Sequence, residues 1–143
     1  MKQRHLAGIK LVVVIILLST ALLSACAGQQ PRYERTKCQF SVPNGHPIEC
    51  GYLTVPENRQ QTQGRSRTIR LHVAIVKSTS QNPHPDPVVF LGGGPGGFTL
   101  DGIDFIIAEF SDVLKERDLI VFDQRGVGYS EPSLDCPEQV ALT

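Results

Sequence analysis

Apolar and polar positions along this chain mark out four short strands and one helix. Ile48 to Val55 reads as a strand ended by Pro56, and Thr68 to Lys77 as a second strand with Ile69, Leu71, Val73 and Ile75 on one face. Between them Glu57 to Arg67 is polar and contains Gly64, so the two are expected to form an antiparallel hairpin with a long loop. Ser78 to Pro87 holds three prolines and predicts a surface connection. Val88 to Leu91 is uniformly apolar, the pattern of a strand buried on both faces of a parallel sheet. Ile103, Ile106, Ile107, Phe110 and Leu114 then recur at three- and four-residue spacing, which predicts an amphipathic helix. Asp101 is placed to cap its start and Asp104 to sit at the positive end of its dipole. Asp118 to Asp123 follows as another buried strand. The order is hairpin, strand, glycine loop, helix, strand, the opening of an α/β domain with one right-handed crossover.

The N-terminus has a different character. Lys2, Arg4, His5 and Lys10 precede the apolar run Leu11 to Leu18, and Ser19, Thr20 and Ala21 lead to Leu23-Ser24-Ala25-Cys26. A basic head, a short apolar core and small residues before a cut are the marks of a secretory signal. A membrane span needs about 20 apolar residues, and this run is broken by Ser19 and Thr20. Leu23-Ser24-Ala25-Cys26 also resembles the lipobox of bacterial lipoproteins. The resemblance implies that residues 1–25 are removed and that Cys26 carries lipid, which makes the membrane a partner. With Ala27 rather than aspartate next, it favours the outer membrane where a cell has two. Residues 26–37 then read as a polar tether. Eleven of the fourteen Lys/Arg and all fourteen Asp/Glu lie beyond residue 25, so the exported part has no basic surplus directed at nucleic acid.

Export places the remaining cysteines, Cys38, Cys50 and Cys136, in an oxidising compartment. Cys38 and Cys50 bracket a loop with Pro43, Asn44, Gly45 and Pro47, and a disulfide there would contribute about 3 kcal/mol in the loop-entropy picture. Zinc held by the two cysteines and His46 is the competing reading, but no CxxC or HxxxH pair supports it. Cys136 has no partner left in the chain.

The densest chemical signal is Leu91-Gly92-Gly93-Gly94-Pro95-Gly96-Gly97, where a strand breaks into five glycines around one proline. Such a loop leaves backbone N–H groups uncovered and suits a negatively charged oxygen or a phosphate. Gly92, Gly94 and Gly97 satisfy GxGxxG, and Asp123 could serve as the ribose-binding acid of a dinucleotide fold. Against this, Pro95 removes an N–H, and Asp123 lies 26 residues after Gly97, beyond the usual reach of about 20. A phosphate loop of the GxxxxGK[ST] type is excluded because no lysine follows the glycines. The alternative is acyl transfer, in which N–H donors meet the oxyanion of a tetrahedral intermediate and one donor is worth about 2.7–4 kcal/mol.

Here a family resemblance enters. Leu91 to Gly97 resembles the HGGPG loop of prolyl aminopeptidases and tripeptidyl-aminopeptidase-like hydrolases, with Gly92 where many relatives have histidine. Asp123-Gln124-Arg125-Gly126-Val127-Gly128-Tyr129-Ser130 resembles the DQRGxGxS segment of the same family, and Cys50 to Pro56 its entry strand. The likeness runs from about Cys38 to Glu138. It implies an α/β-hydrolase fold with a peptide or other acyl substrate and no cofactor or metal. It also implies that Gly93 and Gly94 shape an oxyanion loop through their backbone, that the Gly94–Pro95 bond is cis, and that Asp123 and Arg125 organise the loop beneath the site. Ser130 then reads as a loop hydroxyl.

A serine hydrolase of this class needs a GxSxG nucleophile, then an acid and a histidine. No GxSxG occurs in these residues. His46, His72 and His84 lie before or within the early strands and read as solvated or structural. The expectation is an N-terminal portion of an exported, lipid-anchored α/β-hydrolase (residues 38–143), truncated before nucleophile and lid and inactive by itself. In the whole fold the Val88 strand lies inside the sheet, so truncation would bare an apolar edge. A non-catalytic lipoprotein binding module is the second reading, and a dinucleotide-binding domain the third.

Overall fold

A computed structural model of the chain describes residues 30–60, 66–94 and 96–134. Residues 1–25, read as a signal, Cys26, Gly64, Pro95 with the cis bond expected before it, and Cys136 lie outside the described residues. Among the described residues no helix is long and apolar enough to cross a membrane.

Five strands form one mixed sheet: β1 (Arg32–Thr36), β2 (Ile48–Pro56), β3 (Thr68–Val76), β4 (Val88–Phe90) and β5 (Leu119–Phe122), in spatial order β1-β2-β3-β5-β4. The expected hairpin is present as antiparallel β2 and β3, paired along their length from Ile48↔Val76 to Pro56↔Thr68. β5 is antiparallel to β3 and parallel to β4, with Val89 opposite Ile120. The helix α1 (Ile103–Glu109) lies between β4 and β5 in the chain, flanked by 3-10 turns at Leu100–Gly102 and Val113–Lys115.

Successive side chains of a strand point to opposite faces, and here the two faces differ in cover. Ala74, Val76, Leu119 and Val121 are completely buried against Leu100, Ile103, Ile106 and Leu114, forming the main core with Cys50. Phe90 joins its edge through a T-shaped contact with Phe110, ring centroids 5.6 Å apart. The opposite face carries Leu53, Leu71, Ile75, Ile120 and Phe122, all half-buried, with Val55, Ile69 and Val73 buried among them. The Ile69-Leu71-Val73-Ile75 stripe does share one face, yet the deeper burial belongs to Ala74 and Val76, over which α1 packs, and to His72, which aromatic rings enclose.

Four expectations need correction. β4 is an edge strand, paired only with β5, and Val89 is 50% exposed rather than covered on both faces. Nothing among the described residues packs beyond it to give the second cover a parallel strand needs. The stretch read as tether contains β1, whose five residues lie on the exposed side; it pairs with β2 through its backbone and an Arg35–Glu49 ion pair and so leaves no apolar signature. Asp101 does not cap α1. The cap position is Gly102, without a side-chain bond, because the chain enters through a 3-10 turn and Asp101 is engaged by Tyr129. The single helix expected through Leu114 ends at Glu109, and the apolar spacing continues through a separate 3-10 turn that buries Leu114.

Cys38 and Cys50 form a disulfide that ties the segment before β2 to the core, which removes both from any zinc set with His46. The proline-rich connection lies on the surface but is pinned: the Thr79 N–H donates to the Leu114 carbonyl, and the Ser78 N–H and Lys77 Nζ donate to Asp118.

Candidate functional site

The glycine loop leaves the C-terminal end of β4, and the loop from Asp123 leaves the end of its parallel neighbour β5. The carboxyl end of adjacent parallel strands is where α/β proteins place ligands. Gly93, Gly94, Gly96 and Gly97 are exposed, and no hydrogen bond among the described residues engages their backbone. Gly96 has φ +75°, a left-handed conformation that glycine adopts without a side-chain penalty. A Cβ at Gly94 would lie 2.8 Å from the Gly96 nitrogen, so the turn closes only without one. Gly93 faces open space.

The loop is held from beneath by Asp123, which is completely buried. Its Oδ1 accepts the N–H groups of Thr99 (2.9 Å) and Leu100 (3.0 Å), and its Oδ2 accepts that of Tyr129 (2.9 Å). One carboxylate thereby fixes the exit of the glycine loop, the start of the helical segment and its own loop. Gly128, at φ +55°, lets the backbone pass close to that carboxylate; any Cβ there would collide with it. The neighbouring Gln124 donates its Nε2 to the Gly92 carbonyl at 2.6 Å, holding the entrance of the loop. Arg125 donates to the Glu57 carbonyl at 3.0 Å, tying the same segment to the end of β2.

Ser130 is 1% exposed, donates to the Asp123 carbonyl at 2.7 Å and accepts the His72 N–H at 3.0 Å. Its hydroxyl is consumed in structure. Asp123 is likewise committed to three amides, which takes away the free acid that a ribose contact would require.

Sequence reasoning gave Tyr129 no role and left His72 between a solvated and a structural place. Tyr129 donates its hydroxyl to Asp101 at 2.7 Å, and that bond, with burial and the Asp101 charge, raises its pKa above the ordinary tyrosine value. A shallow pocket of about 310 Å³ opens beside Asp101, lined by Ser41, Val42, Pro43, Ile103 and Asp104. His72 is completely buried among Phe40, Tyr52 and Tyr129, with ring centroids 6.2, 4.9 and 5.7 Å away. Its place in the alternation, on the face shared with Ala74 and Val76, is the signal that could have found it.

No family model matches the chain. It is 34% identical over 107 residues to the tripeptidyl aminopeptidase of Streptomyces lividans, an alignment covering 70% of this chain and 19% of that protein. It is 39% identical over 80 residues to the proline iminopeptidase of Xanthomonas citri, covering 56% of this chain and 24% of the relative. With a probable proline iminopeptidase of Leptolyngbya boryana the identity is 46% over 64 residues, 45% of this chain and 18% of the other. The matched part thus spans about a fifth of these curated relatives. These partial identities, on a mixed sheet with a glycine loop at the end of a parallel strand, identify the chain as a member of the prolyl and tripeptidyl aminopeptidase-like α/β-hydrolases.

Proposed function

We propose that these residues are the N-terminal part of an α/β-hydrolase whose whole protein is a serine peptidase acting on peptide N-termini. The observation that carries the reading is the glycine loop, whose backbone at Gly93, Gly94, Gly96 and Gly97 is exposed, with no hydrogen bond to it among the described residues, while Asp123 fixes its base. In acyl transfer the attacked carbonyl oxygen gains negative charge, and a donor already in place meets it without reorganisation. A backbone N–H of this loop supplies one donor. The second belongs to the residue after a nucleophile that these residues do not encode.

The one-sided pairing of β4 supports an incomplete sheet: among the described residues nothing pairs with its outer edge, and Val89, Leu91 and Phe98 stand 50, 69 and 48% exposed. So does the small share of the relatives that the chain matches. The N-terminal pattern supports export to the bacterial cell envelope with a lipid anchor at Cys26. The partners in this reading are a membrane and, for the whole protein, a peptide or acyl substrate.

The decisive test is twofold. The purified 143-residue chain is expected to give no turnover of aminoacyl or ester chromogens, and turnover abolished by a serine-directed inhibitor refutes that. The nucleotide sequence following codon 143 is expected to encode GxSxG in the same frame or one restored by a single shift; its absence removes the catalytic reading. Metabolic labelling with a radioactive fatty acid, lost in Cys26→Ser, tests the anchor.

A further inference from the structure

His72 is a titratable group placed where a charge is hard to accommodate. The residue is completely buried, and neither ring nitrogen has a hydrogen-bond partner among the described residues. Its walls are the rings of Phe40, Tyr52 and Tyr129. An imidazole with both nitrogens unpaired already carries a desolvation cost, and its protonated form, with two N–H donors and a positive charge, carries a larger one.

The backbone around this ring is the joint between the sheet and the Asp123 loop. The His72 N–H donates to Ser130 Oγ, and the His72 carbonyl accepts the Asp123 N–H at 3.1 Å. Next to it, Arg70 and Glu131 exchange both backbone hydrogen bonds at 2.8 Å and pair through their side chains. Tyr129 touches the His72 ring, donates its own N–H to Asp123 and its hydroxyl to Asp101. Opening the aromatic cage therefore disturbs the segment that fixes Thr99 and Leu100 at the exit of the glycine loop.

We propose that His72 is an acid-sensitive lock: neutral, it lets the aromatic cage close and hold the Asp123–Glu131 loop against the sheet; protonated, it drives that joint open and frees the base of the glycine loop. This inference concerns the stability of the loop and stands apart from the catalytic reading.

The groups facing His72 set the balance. Burial holds its pKa below the ordinary histidine value; Asp123 and Glu131 pull it back up, and Arg70 adds to the lowering. From β2 the only ionisable neighbour is Tyr52, whose pKa is raised, first by burial and then by the charge of Glu131, so it stays neutral in the relevant range. Tyr129, raised by its bond to Asp101, stays neutral as well. Phe40 brings no charge. The sign follows: a group with a depressed folded pKa stabilises the closed form above its ordinary value of about 6.5 and loses that contribution as the pH falls through the folded value. Carboxyl groups of ordinary pKa titrate near 4, so a window from pH 7.5 to 5.5 restricts the response to histidines, and substitution of His72 separates it from His46 and His84.

The test is amide hydrogen exchange on the 143-residue chain at pH 7.5 and 5.5, corrected for the intrinsic pH dependence of exchange. Protection at Thr99, Leu100, Tyr129 and Ser130 is expected to fall about tenfold between these values, the limit for one proton taken up on opening. Protection at the β2–β3 pairs from Cys50↔Ala74 to Ile48↔Val76 is expected to hold. His72→Phe keeps an apolar ring in the cage and is expected to abolish the pH dependence; His72→Gln, neutral throughout, serves if the phenylalanine does not fit. A ring NMR titration of the wild type, assigned by loss of the signal in either variant, is expected to show His72 titrating below the ordinary histidine value. The proposal is overturned if His72 titrates at or above the ordinary value, if loop and hairpin lose protection together, if either folded variant keeps the wild-type pH dependence, or if the chain shows no protected loop at pH 7.5.

Discussion

The centre of this sheet and its β4 edge use similar residues to opposite effect. At the centre β3 is paired on both sides, α1 packs over Ala74 and Val76, and a disulfide joins Cys38 to Cys50 beside them. At the edge β4 pairs, among the described residues, on one side, and the equally apolar Val89 and Leu91 meet solvent. Hydrophobicity alone does not distinguish Val121 from Val89; what differs is whether another element arrives to cover the position. The candidate site sits at the open end, that of β4, yet Asp123 couples its loop to the covered centre through Ser130 and His72.

Removing that coupling is the largest expected loss. Asp123→Ala strands the N–H groups of Thr99, Leu100 and Tyr129, each buried donor costing about 1–3 kcal/mol, so chemical denaturation should show a loss of several kcal/mol. Asp123→Asn keeps one acceptor oxygen and should fall between the two. If Asp123→Ala melted like the wild type, the coupling described here would be absent. Next in size is Leu119→Ala, which empties a completely buried position between β3 and β4 and should cost about 2–5 kcal/mol by the same measurement. Reducing the Cys38–Cys50 bond should lower stability by about 3 kcal/mol, read as a shift in thermal midpoint with and without reductant. Gly128→Ala should cost at least about 1–2 kcal/mol for the left-handed conformation, plus displacement of the Asp123 carboxylate.

The same contrast explains what could be read from sequence. The hairpin, the β4-helix-β5 succession and the glycine loop were legible because each has a local signature: alternation, three- and four-residue spacing, or glycines after an apolar run. The strand Arg32–Thr36 was not, because its exposed side chains carry no apolar pattern and its pairing with β2 rests on the backbone ladder and a charged pair, Arg35 with Glu49. Asp101 read as a cap from its position in the chain, but a tertiary partner 28 residues away, Tyr129, decides its role. In the site, the two loop motifs and their order were visible. The three amides gathered by Asp123 and the cage around His72 were not, since they depend on which strands become neighbours and on the loops meeting in space.

The smallest expected effect sharpens the comparison most. Val89→Ser exchanges an apolar side chain that is half exposed on an edge strand, so it should change the unfolding free energy of this chain by no more than about 0.5 kcal/mol. Because a bare apolar edge invites pairing with another chain, the same substitution should raise the concentration at which the protein remains monomeric, measured by sedimentation. Val89 and Val121 differ in cover but not in chemistry, and Val121→Ser, buried opposite Ala74 and Phe90, should be costly where Val89→Ser is not. If Val89→Ser proved as damaging as Val121→Ser, Val89 would be covered in solution. The open end would then be open only in the isolated chain, and a second strand or a second copy would have to lie against β4.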